Sequence, residues 1–168
     1  PLQPEATVTE SKARYTAAKK ISQSMKNVDL NTVYTMFVSF DKDGGGTITP
    51  DELEATFVEL CKGKKVPQSF IDERLREVDF DGDGTIEFEE YVEFMTGVKV
   101  EGIEELRIGF ESFPRHKNHS VNMDVFMESV TAAIPSTELR SRIASSLDKD
   151  KDGTLSFTEY VDAMTDPA

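Results

Sequence analysis

Asp79, Asp81 and Asp83 stand at alternating positions, and Glu90 follows within the same twelve-residue stretch. Carboxylates spaced in this way can wrap a single hard cation. Ca²⁺ takes roughly 6–8 oxygen ligands at flexible geometry. In the stretch Asp79–Glu90 the aspartates fall at places one, three and five. Gly84 at place six permits a sharp bend, and Thr85 at place seven offers its backbone carbonyl. Glu87 at place nine acts through a water, and Glu90 at place twelve closes the shell with both carboxylate oxygens.

The pattern recurs. Residues 148–159 carry Asp148, Asp150, Asp152, Gly153, Thr154 and Glu159 at the matching places. Residues 41–52 carry Asp41, Asp43, Gly46, Thr47 and Glu52, with Gly45 at place five, where no side-chain oxygen exists. Fewer charged ligands imply weaker binding there. The loop starts at 41, 79 and 148 are separated by 38 and 69 residues, and 69 is close to two periods. A fourth unit is therefore expected near residue 114. There, Pro114, His116 and Val125 replace the first, third and twelfth ligands, and Arg115 and Lys117 add positive charge. Val121 occupies the place that Ile48, Ile86 and Leu155 hold elsewhere. The stretch reads as a copy that keeps its fold and has lost its ion; the alternative is an ordinary interhelical linker.

The strings Phe37-Val-Ser-Phe-Asp-Lys-Asp and Glu77-Val-Asp-Phe-Asp-Gly-Asp-Gly-Thr-Ile resemble calmodulin-like sequences, and Gly44-Gly45-Gly46 is similar to a regulatory loop of skeletal troponin C. From about Leu30 to Met164 the chain resembles the calmodulin and troponin C superfamily of EF-hand proteins. The resemblance implies an all-α fold with two paired-EF-hand lobes, short β pairings between neighbouring loops, and Ca²⁺ at three sites with Mg²⁺ as a competitor. The ion-less third loop and the N-terminal extension depart from both calmodulin and troponin C.

Helical apolar periodicity flanks every loop. Val33, Met36, Phe37 and Phe40 precede the first, and Leu53, Phe57 and Leu60 follow it. Pro67 is expected to open the helix that carries Ile71, Leu75 and Val78 into the second loop. Leu139, Ile143 and Leu147 enter the fourth. Place-eight residues are expected to pair across loops, Ile48 with Ile86 and Val121 with Leu155. Gly97 and Gly102 suggest a division into residues 29–97 and 98–168. Residues 1–28 form a separate expected element: a capping box at Thr7–Glu10, then Tyr15, Ala18, Ile21, Met25 and Val28 at helical spacing. That segment carries net +3, against −16 for the remainder.

The formal charge of −13 disfavours nucleic acid and anionic membranes and favours basic partners. The single Cys61 cannot form an internal disulfide, and no apolar run is long enough to span a bilayer; both fit a cytoplasmic setting. Cys61 itself reads as a small hydrophobe on the helix leaving the first loop. His116 and His119 lack an acid or nucleophile partner, and no catalytic signature is present. Three readings follow: a Ca²⁺ sensor that engages a basic amphipathic target helix, a Ca²⁺ buffer, or the regulatory part of a larger enzyme such as a calcium-dependent protein kinase. The basic 1–28 helix is itself a candidate for intramolecular docking, for permanent packing against one lobe, or for use as an arm for another partner.

Overall fold

The structure, a computed structural model, describes residues 29–116, 118–131, 133–134 and 136–165. The expected helix over 1–28 lies outside the described residues. Among the described residues the elements run α1 (Leu30–Phe40), β1 (Thr47–Ile48), α2 (Pro50–Leu60), α3 (Gln68–Val78), β2 (Ile86–Glu87), α4 (Phe88–Thr96), α5 (Ile103–Glu111), β3 (Val121–Asn122), α6 (Met123–Ser129), α7 (Thr137–Leu147), β4 (Thr154–Leu155) and α8 (Phe157–Thr165). The all-α expectation holds, with two antiparallel two-stranded pairings. Ile48 pairs with Ile86, and Val121 with Leu155. All four side chains are buried.

The described chain divides into two compact units between Glu101 and Gly102, and Asp29–Asn31 group with the second. The first unit is built on aromatics. Phe37 meets the edge of Phe88 at 5.0 Å and Tyr91 at 5.6 Å, and Phe57 meets Phe70 at 5.2 Å. Such pairs contribute roughly 0.5–1.5 kcal/mol each beyond their buried area. The second unit repeats the scheme, with Phe110 5.3 Å from both Phe157 and Tyr160.

Helix ends follow local chemistry. Thr49 caps α2 reciprocally with Glu52, and Pro50 sits in the first helical turn, where a missing N–H costs nothing. Gly97 ends α4 in the left-handed conformation. Three local expectations need correction. Pro67 precedes α3 as its cap rather than opening it, because its ψ of 137° is extended. Cys61 lies just past α2 and is exposed, so it does not pack as a hydrophobe. Helix α7 has the expected apolar stripe but no buried residue: Leu139 is 47% exposed.

Candidate calcium centres

Each loop begins where an entering helix ends and closes where an exit helix starts, so the closing glutamate belongs to both. In the first loop Asp41 is buried, and its two oxygens accept the N–H groups of Gly45 at 2.9 Å and Gly46 at 2.8 Å. Glu52 Oε1 accepts the N–H of Asp43 at 3.1 Å, while Oε2 accepts the N–H of Thr49 at 2.9 Å and its hydroxyl at 2.8 Å. The second loop repeats this. Asp79 accepts from Gly82 and Gly84, and Glu90 accepts from Phe80 and Asp81 through Oε1 and from Glu87 through Oε2. In the fourth, Asp148 accepts from Asp152 and Gly153, and Glu159 accepts from Lys149 on one oxygen and Ser156 on the other.

The folding therefore gathers Asp41, Asp43 and Glu52; Asp79, Asp81 and Glu90; and Asp148, Asp150 and Glu159, each set with ligand oxygens within 4.8 Å of one another. Asp83 falls in an adjoining set with Asp81 and Glu87. Asp83 and Asp152 accept both the N–H and the hydroxyl of the threonine two places on, Thr85 and Thr154. At place seven Thr47 and Thr154 begin their strands, and Thr85 stands just before β2. The sixth-place glycines, Gly46, Gly84 and Gly153, have φ of 91°, 94° and 79°, a region that side chains with a Cβ rarely adopt.

Titration behaviour reflects burial first, then neighbouring negative charge and the loop hydrogen bonds. Burial pushes the Asp41 carboxyl up, and Asp43 and Glu52 add to the shift. Burial, then the charges of Glu159 and Asp152, raise Asp150. Burial, a shared hydrogen bond with Glu90 and its charge push Glu87 up to about 8. Burial opposes ionisation of Glu52 as well, but the N–H groups of Thr49 and Asp43 outweigh it and hold that carboxyl below its ordinary value. The N–H and hydroxyl of Thr85 lower Asp83. Oxygen-only donor sets with this much unneutralised charge fit a hard divalent cation.

The third loop keeps the backbone with other residues. His119 holds place six at φ 63°, where the other loops use glycine. Asn118 accepts the N–H and hydroxyl of Ser120, as Asp83 and Asp152 do for their threonines. Asn122 alone caps α6, accepting from Asp124 and Val125, in place of the ninth-place and twelfth-place pair. Arg115 is ion-paired to Glu111 at 3.3 Å, and Glu111 also holds the buried Arg107 at 2.7 Å. No carboxylate set forms here among the described residues. The ninth-place Thr49 and Ser156 were overlooked in the sequence. Their signal, a hydroxyl three residues before a glutamate, is the capping-box pattern.

Comparison with known proteins agrees. A family model described as an EF-hand domain pair matches residues 30–96, and a second EF-hand domain pair model matches residues 134–166. The chain is 32% identical over 149 residues to troponin C isoform 2B of Homarus americanus, covering 84% of this chain and 97% of that protein. It is 32% identical over 142 residues to the probable calcium-binding protein CML25 of Arabidopsis thaliana, covering 82% and 75%. It is 28% identical over 156 residues to calcium-dependent protein kinase 19 of Arabidopsis thaliana, covering 92% of this chain but 28% of the kinase. The fold and loops define an EF-hand calcium-binding protein. The chain belongs to the family that includes troponin C and calmodulin-like proteins, and it spans less than a third of the plant kinases it matches.

Proposed function

We propose that the protein is a Ca²⁺ sensor loading three ions, at the loops that start at Asp41, Asp79 and Asp148, with Mg²⁺ competing and the 114–125 loop empty. The ligand set is Asp41, Asp43, Thr47 and Glu52; Asp79, Asp81, Asp83, Thr85 and Glu90; and Asp148, Asp150, Asp152, Thr154 and Glu159. One observation carries the reading: each closing glutamate bonds the start of its loop with one oxygen and the cap of the exit helix with the other. An ion that takes both oxygens pulls on the exit helix directly. In sensor hands such a pull opens the helix pair and exposes an apolar groove.

The partner is a protein segment forming a basic amphipathic helix, matched to an acidic chain. The setting is cytoplasmic, and the protein acts by binding rather than by catalysis. No helix among the described residues is long and apolar enough to cross a membrane. The kinase relatives, aligned over 92% of this chain, favour a second reading as the regulatory part of a longer enzyme. Calorimetric Ca²⁺ titration with a hydrophobic dye present tests the sensor. Three ions with a rise in dye fluorescence support it; three ions with no rise mean a buffer.

A further inference from the structure

Helix α7 turns a polar face to solvent. Glu138, Ser141, Arg142 and Ser145 lie on it at helical spacing, and all four are exposed. On the other side Ile143, Ala144 and Leu147 are only half-buried. The Ser145 hydroxyl donates to the Ser141 carbonyl of its own helix at 2.9 Å. That bond holds no other element, and opening the last turn frees the hydroxyl.

The arginines before Ser145 are placed for recognition. Arg140 stands five places before it and Arg142 three, and no other serine or threonine of the chain has an arginine three places before it. In an extended chain Arg140 and Arg142 share one face, about 7 Å apart. Two guanidinium groups so spaced suit an enzyme whose peptide channel is lined with carboxylates. Arg142 carries no ion pair among the described residues. Asp148 and Asp150 stand three and five places after Ser145, an arrangement that would suit a basic channel instead. Those carboxylates are already engaged within the loop. Asp148 accepts the N–H groups of Asp152 and Gly153, and Asp150 accepts that of Asp152 at 3.2 Å. The free charge beside Ser145 is therefore the arginine.

We propose that Ser145 is a phosphoacceptor for a protein kinase that reads arginines on the N-terminal side, open to the enzyme without calcium and guarded when the fourth loop is loaded. In the transfer, Ser145 Oγ bonds to the γ-phosphorus of a nucleoside triphosphate. The bond from that phosphorus to the bridging oxygen breaks, the diphosphate leaves with the electron pair, and the hydroxyl proton passes to a base of the kinase. The product places a charge of about −1.5 to −2 in the last turn of α7, where Arg142 can pair with it.

A kinase takes its acceptor from an extended segment, so the last turn of α7 must open first. The N–H of Asp148 closes that turn on the Ala144 carbonyl at 2.9 Å. An ion that holds Asp148 keeps the turn shut. The guard rests on the calcium reading; the acceptor does not.

The test incubates the full chain with the catalytic subunit of cAMP-dependent protein kinase and Mg-ATP, in a calcium-selective chelator and in calcium, and maps the products by mass spectrometry. In chelator, phosphate is expected on Ser145, and Arg142→Ala is expected to slow its uptake roughly tenfold or more. No phosphate on Ser145, or uptake indifferent to Arg142→Ala, overturns the acceptor. Uptake only from an acidophilic kinase of the casein-kinase class also overturns it, because the aspartates would then be the residues read. Calcium is expected to slow uptake several-fold, roughly in proportion to the closing of α7, and Glu159→Gln to restore the rate. Equal rates with an ion at Asp148 by calorimetry overturn the guard. Equal rates with no ion there sink the calcium reading and spare the acceptor.

Discussion

Val121 and Leu155 face each other across the antiparallel β3–β4 pair, and both are fully buried. One belongs to the third loop, the other to the fourth. The third loop thus braces the loop that carries the proposed Asp148 site. Val121→Ala removes two methyl groups and should cost roughly 2 kcal/mol of second-unit stability. Affinity at the Asp148 loop should fall with it. Calorimetry showing that loop unchanged would mean the pairing is passive.

Glu90→Gln keeps the shape of the closing residue and removes its charge. Affinity at the second loop is expected to drop at least tenfold, about 1.4 kcal/mol. A titration indistinguishable from the parent would show that Glu90 does not ligate.

Gly45→Asp restores a fifth-place carboxylate and should tighten the first loop. A Cβ at Gly45 would stand 2.8 Å from Asp43 Oδ1, which now accepts the Gly45 N–H at 2.7 Å. Only that mobile carboxylate has to turn aside. Equal or weaker Ca²⁺ binding in the variant would count against the gap at place five as the reason for a weak site.

His119→Gly isolates a backbone effect from ion binding. The left-handed conformation costs an ordinary residue roughly 1–2 kcal/mol, partly offset by the greater freedom of glycine in the unfolded chain. A gain of about 0.5–1 kcal/mol is expected in thermal or denaturant unfolding, with the number of bound ions unaltered. A loss of stability would show that the imidazole makes contacts that outweigh its backbone cost.

The loops were legible because a cation imposes its ligands at fixed places, and the strand partners Ile48–Ile86 and Val121–Leu155 followed from their register. The third loop was recognised by what it had lost. That His119 would take the glycine conformation, and Asn122 the cap, could not be read, because both are solutions by an unexpected residue type. The stripe Leu139, Ile143 and Leu147 showed which face of α7 is apolar. Periodicity identifies a face and is silent about whether anything covers it. The bonds from Asp29 and Asn31 to a helix more than 120 residues away have no local signature at all.

The second and fourth loops carry acidic residues at the same four places, yet their entering helices differ. Helix α3 is held by buried Ile71 and Val78, whereas in α7 Ile143, Ala144 and Leu147 are only half-buried. With calcium loaded at Asp148 as proposed, the ion orders a helix that is only half-buried, and part of its binding free energy goes into that ordering. Whatever settles against α7 removes that burden in advance. By reciprocity the ion then strengthens the hold on that occupant by the same factor. On that loading, the affinity of the fourth loop depends on how firmly the helix that ends at Asp148 is held, as well as on its oxygens.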